Sequence, residues 1–131
     1  MATISRFEEI HAWQSARDVC KKVGKLIDEE RFKKNFRLID QLEGSTGSVM
    51  DNIAEGFERG TRKEFIQFLG YAKGSCGEIR SQSYRALDRG YILKEEFDEL
   101  FMLVIEVSGK IQKLIEYLLK TEIAGARVKK P

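Results

Sequence analysis

The sequence is nearly free of proline, histidine and cysteine, and each shortage excludes a class of protein. The one proline in 131 residues lies at the last position, so nothing interrupts long helices. A single histidine, His11, nearly excludes a histidine-based metal site or catalytic triad within one chain. The two cysteines, Cys20 and Cys76, form no CxxC pair. We therefore expect neither a disulfide framework nor a zinc site, and a reducing cytoplasm as the setting.

Long apolar runs and a large net charge are missing as well. The longest apolar run, residues 100–105, is far shorter than the roughly 20 residues that span a bilayer, so we expect no membrane segment. The N-terminus lacks the apolar region of a signal peptide. Because 23 basic and 21 acidic residues leave a net charge of only +2, nucleic-acid binding would depend on where the charges lie.

Apolar residues recur with the 3.6-residue helical period in four segments, which predicts helices over residues 8–29, 35–59, 62–89 and 94–121. Gly60 and Gly90 are placed to end helices, and Thr61 with Glu64 has the spacing of a capping box. Short links make each long helix fold back on the one before it. We predict an all-α, up-and-down antiparallel four-helix bundle, with one domain over residues 1–123 and a short basic tail, 124–131.

Several glycines lie inside the second and third predicted helices, where each costs ~1 kcal/mol relative to alanine. If the hairpin turns at residues 60–61, Gly47 lies level with Gly74, and Gly44 lies level with Gly77. We predict that the two backbones come closest at these layers. Leucine at position 47 should then overpack the contact and destabilise the protein by ~1–3 kcal/mol.

No arrangement of residues typical of catalysis is present. The sequence contains no glycine-rich phosphate loop of the GxGxxG or GxxxxGK[ST] kind. Both cysteines fall on the apolar stripes of their helices, where free cysteine is usually an inert small hydrophobe. Glu55 and Glu78 differ by about twelve residues in hairpin level, or ~18 Å, so they cannot act as an acid–base pair within one chain. We expect no enzyme activity, no cofactor and no small-molecule substrate.

A stripe of polar side chains runs beside the apolar face of the second and third predicted helices. It includes Ser48, Asn52, Glu55 and Glu78. One interpretation is a solvated face with weak helix pairs, each worth a few tenths of a kcal/mol. The other is a hydrogen-bonded seam that fixes the register between helices or between subunits. The sequence leaves both open.

The fourth predicted helix is apolar around its whole circumference at residues 101–105, which is more than one core-facing stripe can use. We predict that Met102, Leu103 and Ile105 form an interface between subunits. The alternative is a helix that lies deeper in the bundle than its partners.

One segment resembles a known family. Ser48, Asn52, Ile53, Ala54, Glu55 and Gly56 form the pattern SxxxNIAEG, which is followed by Phe65, Phe68-Leu69 and Ala72-Lys73-Gly74-Ser75, and Phe7, Ile10, Trp13 and Ala16 match the opening pattern. The chain resembles the four-helix-bundle proteins encoded in intervening sequences of bacterial 23S ribosomal RNA genes. The sequence departs from the family pattern at Glu43-Gly44, where many relatives carry basic residues.

The resemblance implies a homopentamer related to the accessory protein of diversity-generating retroelements, a basic pentamer that works with reverse transcriptase and RNA. The family's own biochemical function is not established. The resemblance therefore leaves two hypotheses, a non-catalytic RNA-binding assembly and a protein-interaction scaffold with no nucleic-acid role.

The predicted RNA-binding surface is a basic rim at the end of the bundle that bears residues 60–61. That half of the chain has a net charge of +3, which a parallel ring of five would raise to +15. Such a rim would attract phosphate without reading bases. Its cations are Arg59, Arg62, Lys63, Lys120, Arg127, Lys129 and Lys130.

Overall fold

Four long helices make up most of the computed structural model, which describes residues 4–32 and 35–121. They are α1 (His11–Ile27), α2 (Phe36–Glu58), α3 (Arg62–Asp88) and α4 (Lys94–Lys120). Each helix packs against the next, and α1 also packs against α4, so the four form a closed square. The predicted all-α four-helix bundle is confirmed, with every helix end within three residues of its predicted position. The predicted tail, 124–131, lies outside the described residues.

The largest difference from the predicted boundaries is the start of α1, which begins three residues late. Residues Phe7–Glu9 form a short 3₁₀ turn, and Ile10 then takes an extended backbone (φ −77°, ψ 120°). Its side chain is buried in the core at 2% exposure. Because the chain must turn to bring Ile10 inward, the helix cannot run continuously from Glu8.

Glycine and threonine set the ends of α2 and α3 as the sequence predicts. Gly60 and Gly90 follow the two helices with φ of +87° and +75°, a left-handed conformation that glycine adopts without strain. Thr61 Oγ1 accepts the backbone N–H of Glu64 at 3.2 Å and donates to the Glu64 carboxylate at 2.9 Å. The first turn of α3 is therefore capped by its own residues.

One apolar core runs the length of the square, and all four helices contribute to it. Its largest fully buried side chains include Phe32, Leu38, Ile53, Phe65, Leu69, Ile79, Ile111 and Leu118. Phe32 belongs to the 3₁₀ turn Glu30–Phe32, and the neighbouring Arg31 donates to Glu96 of α4 at 3.0 Å. The backbone N–H of Leu93 and this arginine lower the pKa of Glu96. The α1–α2 connection is thus anchored both in the core and to α4.

The predicted close approach at Gly44, Gly47, Gly74 and Gly77 is wrong. A Cβ built on any of the four meets no heavy atom within 4 Å. Hairpin register fixes the level of a residue along the bundle, but it leaves open whether the residue faces the partner helix or solvent. These glycines face away from the α2–α3 contact.

The close approach of α2 and α3 lies at Gly56 instead. A Cβ at this position would lie 2.6 Å from Cβ of Phe68 and 3.2 Å from Cδ1 of Phe65. Phe68 Cβ is the stem of its side chain, so it can move only if the α3 backbone moves. Gly56 therefore sets how closely the two helices pack.

The substitution Gly56→Ala should lower the free energy of unfolding by ~1–3 kcal/mol, because the added methyl group overpacks the contact with Phe68. The matched change Gly47→Ala should stabilise the protein by up to ~1 kcal/mol, because it removes a helical glycine and meets no neighbour. Urea denaturation of both variants measures the difference. Equal effects of the two substitutions would contradict this account of the contact.

Candidate functional site

The polar stripe between α2 and α3 is a chain of hydrogen bonds within one molecule. Ser75 of α3 donates to Ser48 Oγ of α2 at 3.0 Å, and the Asn52 amide donates to the same oxygen at 2.9 Å. Ser45 donates to the Gln82 side chain at 2.6 Å. The structure thus places Ser48 and Asn52 in a seam that links the two helices.

Burial gives this seam its influence on the register of the two helices. Ser75 is only 7% exposed and bonds to Ser48 of the other helix, so a shift of one helix along the other would leave its hydroxyl group without that partner. The Ser45 hydroxyl, 5% exposed, would lose Gln82 but keep its bond to the Gln41 carbonyl of its own helix. An unsatisfied buried polar group costs ~1–3 kcal/mol. A further bond, from Arg85 to the Gln41 amide oxygen at 2.9 Å, extends the seam toward the end of the bundle that holds the α1–α2 and α3–α4 connections.

Glu55 and Glu78 lie outside this seam, although the same sequence stripe contains them. Glu55 is exposed and pairs with Arg59 one turn along α2 at 3.4 Å. Glu78 is exposed and forms no hydrogen bond or ion pair within residues 4–32 and 35–121. Their separate surroundings give no support for an acid–base pair of these carboxylates within one chain.

Two of the predicted rim cations are held by other parts of the chain. Arg59 lies 3.1 Å from the Glu64 carboxylate and 3.4 Å from that of Glu55, and its guanidinium lies 5.2 Å from the ring centroid of Phe68. Because two carboxylates surround it, little of its positive charge is available to a ligand.

Arg62 joins the start of α3 to the end of α4. Its Nη1 donates to the carbonyl oxygen of Leu118 at 2.9 Å, one of the last carbonyl groups of that helix. Its Nε is buried and has no hydrogen-bond partner in the described part of the chain. The contact ties the two helices together at this end of the bundle.

The remaining rim residues differ from these two arginines. Lys63 and Lys120 are exposed and form no hydrogen bond or ion pair within the described ranges. Arg127, Lys129 and Lys130 lie outside the described residues. Among the rim positions that the structure describes, the two lysines are therefore the accessible positive charges.

The charges are distributed unevenly among the helices, which the division of the chain into two halves does not reveal. Helix α2 carries one basic and five acidic residues, whereas α1 carries four basic residues and one acidic residue. On α1, Arg17, Lys21 and Lys25 follow one another every four residues, are exposed, and form no ion pair within the described residues. The net charge of each predicted helix would have pointed to α1, and the four-residue spacing of these cations would then have revealed the row.

The predicted interface on α4 divides between surface and core. Met102 and Ile105 are 67% and 43% exposed. Leu103 is half-buried and packs against the core. The side chains of Met102 and Ile105 therefore remain available for contact with another molecule.

Burial disfavours the thiolate form of both cysteines. Burial raises the pKa of Cys76 from 9.0 to about 11. Burial also raises the pKa of Cys20, which is half-buried, despite a hydrogen bond with Thr46 that favours the thiolate. Because the thiolate is the reactive form, neither group has the lowered pKa of a catalytic cysteine.

A shallow groove of about 280 Å³ lies between the start of α1 and α4, and its lining includes Glu9, His11, Lys110 and Lys113. Lys110 already bonds to Ser15 and Glu106. Within the ranges that the structure describes, no three histidine, cysteine or acidic residues are placed to hold a metal ion, and no helix is suited to cross a membrane.

The fold and its seam define an antiparallel helical bundle in which hydrogen-bonded side chains join α2 and α3. The model of the family described as 23S rRNA-intervening sequence protein matches residues 8–113, and the chain belongs to that family. A similar fold occurs in the crystal structure of a protein of unknown function from the S23 ribosomal protein family of Bacteroides thetaiotaomicron. It is 22% identical, with a TM-score of 0.67 over 84% of this chain and 99% of that one. No curated protein matches the chain.

Alkylation should show that Cys76 is protected. At neutral pH a thiol with a pKa near 11 has about one hundredth of the thiolate of one with a pKa of 9.0, and burial further limits access. The test is the rate at which iodoacetamide alkylates the Cys20→Ala variant in native buffer and in urea. Equal rates in the two conditions would contradict the prediction.

The raised pKa of Cys76 also makes stability depend on pH. Because the unfolded thiol ionises first, the folded state should lose stability as the pH rises from 9.0 through about 11.

Proposed function

We propose that the protein is a non-catalytic, homo-oligomeric RNA-binding protein of the cytoplasm. It contacts the RNA phosphate backbone with the end of the bundle that bears the α2–α3 turn. The observation that carries this proposal is the pair of exposed lysines at that end, Lys63 and Lys120, which form no ion pair within the described residues. Lysine acts on phosphate as a mobile point charge, which suits binding without base recognition.

The contacts of the rim residues change which of them should contribute most to RNA affinity. Because Arg59 is shared between two carboxylates and Arg62 is bonded to the end of α4, the lysines should contribute more to RNA affinity than the arginines. Replacement of Arg62 should first loosen the α3–α4 contact. A loss of RNA binding in an Arg62 variant would therefore be ambiguous.

Oligomerisation makes the proposal physically reasonable. One chain offers few free cations at this end, and two phosphate contacts alone give weak binding at physiological salt. In a parallel ring each subunit adds its own pair of lysines to one surface. Resemblance favours five subunits, and the exposed side chains of Met102 and Ile105 supply apolar surface for association.

Salt-dependent RNA binding tests the proposal. The variant Lys63→Gln/Lys120→Gln should bind single-stranded RNA more weakly than the parent protein. The slope of log K against log salt should fall by about 0.7 for each phosphate that the variant no longer neutralises. The matched control is Lys21→Gln/Lys25→Gln, which removes the same charge from α1. Fluorescence anisotropy at several salt concentrations, with circular dichroism as a check of folding, measures both.

The control decides where RNA binds. If the α1 variant loses as much affinity as the rim variant, binding follows overall charge and the rim is not the site. If the α1 variant alone loses affinity, the site is the row Arg17, Lys21 and Lys25.

A protein-interaction scaffold is the second candidate function, and one observation favours it. The three glycines inside α3 have open space where a side chain would lie, and the neighbouring helix α4 exposes apolar residues. A parent protein that binds no RNA at low salt would eliminate the RNA proposal and favour this alternative.

A further inference from the structure

Two of the large apolar side chains that α4 exposes to solvent lie close together near the middle of the helix. Met102 and Ile105 are three residues apart, so they project from the same side of the helix, and they are 67% and 43% exposed. Below, these two residues are called the apolar ridge. Because burial of exposed apolar groups favours association, the ridge is a favourable contact surface.

The neighbouring helix α3 carries a surface of opposite shape. Gly70, Gly74 and Gly77 lie at positions i, i+4 and i+7, which share one helix face over about 10 Å. A Cβ built on any of the three meets no heavy atom within 4 Å. Below, these residues are called the glycine stripe. Each helical glycine destabilises its helix relative to alanine, and no contact within the described chain offsets that cost.

The ridge and the stripe lie in neighbouring segments of the α3–α4 pair, offset along the bundle. Tyr84 of α3 lies 5.8 Å from the Phe101 ring centroid of α4, and Lys73 of α3 donates to Gln112 of α4 at 2.7 Å. The glycines Gly74 and Gly77 fall between these two contacts on α3, and Ile105 falls between them on α4. Because α3 and α4 are antiparallel, these contacts place Ile105 level with Arg80, about 5 Å beyond Gly77. Every copy of the chain therefore presents a ridge and a shallow depression that are offset along the bundle.

Charge is complementary between the two helices. Helix α3 has five basic and three acidic residues, a net charge of +2, and α4 has four basic and six acidic residues, a net charge of −2. When α4 of one molecule meets α3 of another, opposite charges come together. Contact between two α3 helices or two α4 helices would instead bring like charges together.

We propose that the apolar ridge of one molecule packs into the glycine stripe of a second copy of the same chain. The absence of side chains on the stripe lets the α4 helix of the second molecule approach more closely than the usual 8–10 Å between helix axes. This inference rests on the proposed homo-oligomer and specifies the two surfaces that form its interface. It also gives the interior glycines of α3 a role that packing within the chain does not provide.

Two variants test the two surfaces separately. The ridge variant is Met102→Gln/Ile105→Gln, and the stripe variant is Gly74→Gln/Gly77→Gln. Both should fold, because the ridge is exposed and the glycines have open space. The controls are Gly44→Gln/Gly47→Gln, which fills open glycines on α2, and Phe36→Gln, which removes an exposed apolar residue elsewhere. Light scattering should find the parent protein and both controls oligomeric, and each of the two variants monomeric.

Mixing the two monomeric variants provides the sharpest result. Each mixed pair contains one intact ridge and one intact stripe, so an equimolar mixture should form a heterodimer and nothing larger. If the ridge paired with another ridge, the stripe variant, whose ridge is intact, would associate by itself. If the two variants are monomeric and remain monomeric when mixed, the proposal is wrong. The proposal would also be overturned if the ridge variant or the stripe variant remained oligomeric, or if the control variants dissociated to the same extent as these two.

The parent protein separates this inference from the rest of the proposed function. A monomeric parent protein would refute both the homo-oligomer and the ridge–stripe contact, whereas the RNA titration decides RNA binding independently. An oligomeric parent whose ridge and stripe variants also remain oligomeric would refute the ridge–stripe contact alone.

Discussion

The close contact between α2 and α3 at Gly56 is the constraint on which the rest of the bundle depends. A methyl group at this position would lie 2.6 Å from Phe68 Cβ, so the distance between the helices requires glycine here. On the same pair of helices, the Ser48–Ser75 hydrogen bond fixes the register. The pair packs together more extensively than any other two helices, and α1 and α4 complete the square against it. Distance and register are thus set by different residues of one helix pair.

This contact explains the segment on which the resemblance to the family rests. In the pattern SxxxNIAEG, Ser48 and Asn52 form the seam, Ile53 is fully buried, and Gly56 permits the close approach. Four of the fixed positions therefore serve packing between helices. A shared segment of this kind establishes the fold, whereas function must be argued from the surface of the molecule.

Features set by local chemistry could be predicted from the sequence, and those set by orientation could not. The helix ends at Gly60 and Gly90 and the cap at Thr61 depend on neighbouring residues, and they lie where the sequence predicts them. The glycine prediction for Gly44 and Gly47 failed because hairpin register gives a residue's level but not its direction. The role of Arg62 could not be predicted either, since its partner Leu118 is 56 residues away in the chain.

Native-state hydrogen exchange tests the central claim, that the α2–α3 pair holds the bundle together. If the contact at Gly56 and the seam dominate, the slowest amides should lie around Ile53 to Phe57 and Phe65 to Ala72 and should exchange only through global unfolding. The α1 and α4 amides should exchange faster, through partial openings that leave the pair intact. The account would be contradicted if amides of α1 or α4 exchanged as slowly as those of the α2–α3 pair. It would also be contradicted if amides around Gly56 exchanged faster than those of α1 and α4.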